Sequence, residues 1–424
     1  MTYAEALAHL QSLRQFGFQP GLETTRQLAA AVGSPQDGLR FIHVAGTNGK
    51  GSTCAFIESI QRAAGRRTGL YTSPHLVRFG ERIQVDRRPI PDIDLARLVA
   101  RLRSVTPAGL EPTFFEFTTI VALMWFAEQN VDVVVWETGL GGRLDATNIV
   151  EPIVSVITSI GLDHQQVLGG TPGEIASEKA GIIKPGIPVV TSADASDALA
   201  VIGHRAKELD CHCVVVGTSA VGRLSAPVSL AGPHQRLNAA TAAATCRLLR
   251  TFLPVSDEQI AGGLARTVWA GRMQRLQRGP GTWLLDGAHN PDGIAAFRRT
   301  LGEEFPGSHP TLVVGMLRDK AWKEMLAELA KVAGRFVVSP VASTRTVGAE
   351  ELRDALKELR CNRPVRVVGS AAEAVKAASA DPFVAVTGSL YFIGEVMEGL
   401  GIEPGASGDE RGLNEWGGSN RTGR

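Results

Sequence analysis

What this chain lacks narrows its class before any motif is read. Basic and acidic side chains number 44 and 43, so no excess of one sign points to nucleic acid or to an anionic membrane surface. No apolar run reaches the length needed to span a bilayer. The N-terminal stretch has no signal-peptide core; residues 1–16 read instead as a short amphipathic helix. The five cysteines, an odd number, are scattered, which argues against a disulfide framework and for a reducing compartment. Cys211-His212-Cys213 invites a metal, but its spacing is too tight and it has no second half, so it reads as packing at a strand edge. No internal repeat is present. The expectation is a cytoplasmic globular monomer whose 424 residues exceed one ordinary core.

What the chain does have is organised around Val44-Ala-Gly-Thr-Asn-Gly-Lys-Gly-Ser-Thr53. A short apolar run, Phe41-Ile-His-Val44, precedes it and predicts a buried strand. Phe56, Ile57, Ile60, Ala63 and Ala64 follow at helical spacing. Strand, glycine-rich turn and helix start form an arrangement suited to polyphosphate. The glycines admit the backbone, exposed N–H groups and the helix dipole favour the anion, and Lys50 adds a full charge. Ser52 or Thr53 offers a hydroxyl to magnesium riding on the phosphates. The usual phosphate-loop pattern has a glycine five positions before the Gly-Lys pair and Ser or Thr directly after the lysine. Here those positions hold Val44 and Gly51, so the loop is tighter and the hydroxyls come one residue late.

Further along, apolar runs at residues 68–72, 131–136 and 153–160 read as strands, with 188–191 and 213–216 as further candidates. Helices are expected at 94–103, at the almost wholly apolar 113–128 and at 237–252. Residues 78–112 otherwise read as polar and irregular. Near-continuously apolar strands alternating with helices predict a doubly wound, mainly parallel sheet of phosphate-loop type. Such a sheet places ligands beyond the carboxyl ends of its strands, and Lys50, Ser73, Glu137 and His164 all fall at strand ends. Residues 271–281 read as a linker. Beyond them, alternating strands and helices predict a smaller Rossmann-like α/β domain. The expected division is 1–278, 279–403 and a disordered tail over 404–424.

Glu137, ending a hydrophobic strand, is placed like the acid that supports magnesium beside a phosphate loop. His164 reads either as a metal ligand or as a structural histidine, and Lys179 taken alone reads as a surface lysine. Asp286-Gly-Ala-His-Asn-Pro291 follows a strand and precedes a helix; it reads as a site rim or as an Asn-Pro turn with an Asx cap. Two domains with facing strand-end loops suit a ligase that phosphorylates a carboxylate with ATP, after which an amine attacks.

These motifs together resemble the folylpolyglutamate synthase/dihydrofolate synthase family, relatives of the Mur ligases. The resemblance rests on Gly46-Thr-Asn-Gly-Lys-Gly-Ser52, Thr72-Ser-Pro-His-Leu76, Glu137-Thr-Gly-Leu-Gly-Gly-Arg-Leu-Asp-Ala-Thr-Asn148, Leu162-Asp-His164, Ser177-Glu-Lys-Ala-Gly-Ile-Ile183, Asp286-Gly-Ala-His-Asn290 and Gly388-Ser389. It implies an ATP-dependent ligase that joins L-glutamate to dihydropteroate or to a reduced folate through an acyl phosphate. Magnesium at two sites and a monovalent cation are the implied ions. Gly46, Thr47, Asn48, Gly49, Lys50, Gly51, Ser52 and Thr53 would hold ATP, with Asn238, Arg272 and Asp286. Ser73, Glu137, Ser52 and His164 would hold metal. Lys179 matches the family lysine that takes up carbon dioxide as a carbamate. Thr113, Phe114, Phe115, Glu116, Leu144, Asp145 and Ala146 match positions near the pterin, where Phe114 or Phe115 could stack. Gly21 falls in a weaker substrate-facing match, and His289 and Ser389 are candidates for the incoming glutamate. The alternatives are a Mur-type ligase acting on another carboxylate acceptor and a phosphate-loop nucleotide-binding protein without ligase chemistry.

Overall fold

Every residue of the strand Phe41–Ala45 is buried, as an inner strand covered on both faces requires. In the computed structural model, which describes residues 1–17, 20–224, 226–279, 281–402 and 410–414, that strand is β1 of an eight-stranded sheet. The others are β2 Thr68–Tyr71, β3 Ile83–Val85, β4 Arg88–Pro89, β5 Val133–Glu137, β6 Pro152–Ile157, β7 Val189–Thr191 and β8 Cys213–Val215, in the order β4-β3-β2-β5-β1-β6-β7-β8. All pairings are parallel except β2 with β3 and β3 with β4. Between β5 and β6, β1 carries the glycine loop at its carboxyl end. Its central position fixes that loop in the middle of the sheet edge.

A second sheet contains β9 Gln274–Arg278, β10 Gly281–Leu285, β11 Thr311–Val314, β12 Arg335–Val338, β13 Val365–Val367 and β14 Phe383–Thr387, ordered β13-β12-β11-β14-β10-β9. It is parallel apart from β9, which runs antiparallel to β10. The stretch expected as a linker is therefore in part a strand. Its arginines and glutamines hid it, because an exposed edge strand carries no apolar face.

Besides Glu23–Ala31 and Leu390–Gly399, the helices among the described residues that escaped the apolar periodicity include Pro172–Ala180, Ser196–Glu208 and Asp257–Arg266. Each is short and rich in alanine or glycine. The last is announced only by its capping box, Ser256 with Gln259. The helix expected from residue 237 starts at Pro233, where a missing N–H does no harm. Residues expected to be irregular between 78 and 112 supply the antiparallel pair β3 and β4.

The tail expectation meets a correction at residues 410–414. Glu410, Leu413 and Asn414 are buried, and Leu413 joins the core made by the N-terminal helix Tyr3–Ser12 and the helix Phe114–Glu128. Its single leucine between polar residues offered no periodicity to read. The rest of the tail lies outside the described residues. Cys213 lies on the edge strand β8, and no helix among the described residues is long and apolar enough to cross a membrane.

Candidate functional site

The loop after β1 is shaped by two glycines at positive φ. A Cβ on Gly46, at φ 153°, would lie 1.8 Å from Thr158 Oγ1; one on Gly49, at φ 84°, would lie 2.4 Å from Asn238 Oδ1. The loop is pinned to the end of β6: Thr158 Oγ1 and Ser159 Oγ donate to the Asn48 carbonyl at 2.8 and 3.0 Å, and Thr47 Oγ1 donates to the Gly161 carbonyl at 3.1 Å. Lys50 begins the helix Lys50–Ala63 and arches back over the loop, its Nζ 3.1 Å from the Gly46 carbonyl. Of the two hydroxyls left open by the sequence, Ser52 lines the adjoining cleft. Thr53 is wholly buried and away from that lining. Helical geometry turns consecutive residues to different faces, so only one of the pair can look out.

That cleft, about 810 Å³, lies where the loops of both sheets face each other. Lys50, Ser73, Glu137, His164, Lys179, Asn238, Arg272, Asp286, His289 and Ser389 all line it, so residues scattered along the sequence are brought to one cavity. Lys179 is buried and donates to the Gly46 carbonyl at 2.9 Å. Burial, and then the nearby Lys50 charge, bring its pKa down to about 7. The surface-lysine reading is thereby excluded.

Glu137, at the end of β5, accepts the Ser73 N–H at 3.1 Å, and burial pushes its pKa up to about 6 against the pull of Lys50. It makes no ion pair among the described residues. His164, in a left-handed conformation, has Nε2 3.3 Å from Lys320 Nζ. Burial and the Lys320 charge lower its pKa to about 4, leaving a neutral imidazole at pH 7. No group of three or more His, Cys, Asp or Glu side chains able to hold a metal occurs among the described residues. The oxygen donors present, one buried carboxylate and hydroxyls, suit magnesium, which takes its remaining ligands from phosphate and water, whereas the neutral imidazole of His164 is a nitrogen donor of the kind softer metals prefer.

From the second sheet, the Asp286 carboxylate accepts the N–H groups of Met273 (2.9 Å) and Ala288 (3.0 Å), bracing the loop from which Arg272 reaches the cleft. His289 Nδ1 lies 2.8 Å from the Gly287 carbonyl, and its Nε2 is 3.8 Å from Asp163 Oδ2. Asn290 caps the helix Pro291–Glu304 and also meets Asn48 and Asp163 of the first sheet's loops, at 3.0 and 3.2 Å. Ser389 accepts the Tyr391 N–H as the cap of the helix Leu390–Gly399.

At the other end of the cleft, Thr113 and Glu116 form a capping box, and Glu116 also accepts from Thr25 Oγ1 at 3.3 Å. Asp145 accepts from the N–H groups of Leu140 and Thr147, bracing the turn that carries Leu144 and Ala146. Phe115 packs on Gly139, where a Cβ would lie 2.5 Å from its ring, and sits 6.0 Å from the Tyr71 ring. Phe114 lies under the Arg82 guanidinium, 5.3 Å away. All of these expected residues line the cleft, as does Gly21. Sequence reasoning passed over Arg82 and Lys320. Both are charged residues in polar stretches, and the only available signal for Lys320 was its place just after the end of β11.

Comparison with known proteins agrees with this geometry. The Mur ligase middle domain matches residues 44–246, and the Mur ligase glutamate ligase domain matches residues 271–390. A Bacillus subtilis protein named dihydrofolate synthase/folylpolyglutamate synthase is 38% identical, over 94% of this chain and 99% of its own length. Escherichia coli FolC, solved in complex with DHPP and ADP, superposes with a TM-score of 0.84 at 33% identity, covering 95% of this chain and 98% of that one. The Yersinia pestis bifunctional folylpolyglutamate synthase/dihydrofolate synthase, solved with AMPPNP and Mn ion, gives 0.85 at 32% identity over 95% and 98%. A two-sheet architecture, a cleft between the sheets and likeness over nearly the whole length leave one assignment: the chain belongs to the folylpolyglutamate synthase/dihydrofolate synthase family of Mur-type ligases.

Proposed function

We propose that this chain is an ATP-dependent ligase that joins L-glutamate to dihydropteroate or to a reduced folate through an acyl phosphate. The observation that carries the reading is the position of Lys179: buried, 2.9 Å from the carbonyl of the nucleotide loop, and in one cleft with Lys50 and Glu137. The loop amides and Lys50 hold the ATP phosphates. Ser52, Ser73, Glu137 and His164 would hold magnesium, which neutralises charge on the transferring phosphoryl group. With a pKa near 7, Lys179 presents a neutral amine that attacks carbon dioxide. An N–C bond forms as one C–O π bond of carbon dioxide opens onto oxygen, the nitrogen loses one proton to solvent, and the neutral amine becomes an anionic carbamate facing the loop. Arg272 reaches the phosphates from the second sheet's side, Phe114 and Phe115 offer ring faces to a pterin, and His289 and Ser389 stand where glutamate would enter.

The test is phosphate release from ATP and magnesium, with glutamate and either dihydropteroate or a reduced folate. Release is expected only when both acceptor and glutamate are present, and Lys50→Ala should abolish it. Release indifferent to both would sink the reading. Release driven by another carboxylate acceptor would move it to a Mur-type ligase.

A further inference from the structure

Arg82 is a wholly buried guanidinium on the wall of the cleft, yet among the described residues it forms no ion pair with a carboxylate. Its hydrogen-bond partners are neutral, and the Glu81 and Glu137 carboxylates act on it only from beyond ion-pair distance. Nε donates to His75 Nδ1 at 2.8 Å, Nη2 donates to Asn414 Oδ1 at 2.5 Å, and its flat face lies over Phe114. Asn414 is itself held from two sides. Its Nδ2 donates to the His75 carbonyl at 3.0 Å, and its carbonyl accepts from Tyr391 Oη, on the helix Leu390–Gly399 of the second sheet, at 2.5 Å. Four residues earlier, the Glu410 carboxylate is buried against Tyr3 Oη (2.9 Å) and the Phe79 N–H (2.7 Å), and Leu413 is sealed into the core beside the cleft. A turn far along the chain is thus clamped onto the first sheet's side, and its last described residue orients a buried cation.

We propose that residues 410–414 form a strap that aims Arg82 at the cleft to receive an acidic group of the carboxylate acceptor, with Asn414 as the positioning residue. A buried charge with only neutral hydrogen-bond partners is costly to keep and is relieved by an anion at its open side. Asn414 is chemically suited to this role, because an amide oxygen directs the guanidinium without neutralising it, whereas a carboxylate there would consume the charge. This inference rests on the ligase reading above, because it presumes an acidic acceptor.

The experiment is steady-state kinetics on the full chain and on Asn414→Ala, Asn414→Asp and Leu413→Ala, varying acceptor and ATP separately, with a thermal midpoint for each protein. Asn414→Ala should raise KM for the acceptor by roughly tenfold while KM for ATP and kcat stay within about twofold, the size expected for one charge-assisted contact. Asn414→Asp should raise it further, since its carboxylate competes for Arg82 even as it retains an accepting oxygen. If Asp restores the acceptor KM, or if acceptor and ATP constants move together, the strap is only structural and the proposal falls. Should Asn414→Ala fail to fold, the same ratio in Asn414→Asp and Leu413→Ala decides. Wild-type turnover indifferent to acceptor would fail the ligase reading. Coupled turnover with an unchanged acceptor KM in the variants would fail the strap alone.

Discussion

Lys320 Nζ lies 2.6 Å from Asp163 Oδ1, an ion pair in which each side chain is only about a tenth exposed and which joins the loops of the two sheets. Asn290 adds a bond to Asp163 Oδ2 from the same side, and His289 stands 3.8 Å from that oxygen. This small polar cluster is one of the contacts that join the two sheets, beside the burial of Leu76 and Val77 against Phe392 and Ile393 in the second sheet's core.

Lys320→Met should therefore destabilise the protein by about 3 kcal/mol, because removing one partner leaves a buried charge uncompensated. Urea unfolding at pH 7 measures it. The Lys320 charge acts against burial to hold the Asp163 carboxyl well below its ordinary range. That stabilisation is full above the unfolded carboxylate pKa and is lost as pH falls through the folded one. The variant should accordingly lose less stability than wild type between pH 5 and the acid limit. An unchanged unfolding curve would show that the pair is worth nothing.

Lys179 behaves in the opposite sense. Its folded pKa of about 7 lies below the ordinary 10.5, so the destabilisation it imposes is absent at very alkaline pH, grows as pH falls and is complete below 7. Lys179→Met is expected to raise the thermal midpoint at pH 6 and to raise it less at pH 9, while abolishing turnover. Depleting carbon dioxide should slow wild-type turnover, and bicarbonate should restore it. A variant less stable than wild type at pH 6 would contradict the burial argument.

Glu137, raised by burial to about 6, should tie magnesium use to pH. Protons compete for the carboxylate below pH 6, so half-saturating magnesium should rise by roughly tenfold per pH unit there and stay flat above pH 7. The folded carboxylate is disfavoured above pH 6 and carries no penalty below the ordinary 4.5, so Glu137→Gln should raise the metal-free thermal midpoint at pH 8 but not at pH 4.5. Magnesium titrations across pH and thermal scans check the two parts separately.

Gly49→Ala probes the nucleotide loop. The residue sits at φ 84°, and the added methyl would meet Asn238 Oδ1 at 2.4 Å. Strain of this kind is on the order of 1–3 kcal/mol, which should appear as a roughly tenfold or greater rise in KM for ATP, with KM for the acceptor little changed. An ATP constant equal to wild type would mean the loop tolerates a side chain there.

Much of the first sheet was legible because its strands are buried on both faces and announce themselves as apolar runs, as Phe41-Ile-His-Val44 does. The glycine loop was legible for the same local reason: strand, glycine and helix start are consecutive. The edge strand Gln274–Arg278 was not, since a polar strand has no apolar alternation to display. The motif resemblance selected Lys179, but residue type and spacing alone pointed to the surface; only its burial against the Gly46 carbonyl separates the two readings.

The sequence by itself determined the individual strands as apolar runs, the phosphate-binding turn and the strand-end placement of Lys50, Ser73 and Glu137, because each depends on residues within a few positions of one another; the parallel order of the sheet was inferred from their alternation with helices. Tertiary structure alone decided that Ser52 and not Thr53 faces the cleft, that Lys320 reaches Asp163 and that Asn414 reaches Arg82, 332 positions away. Such contacts are set by how two cores pack and by where buried charges find partners. Those energies depend on distance in space, and local pattern carries no record of them.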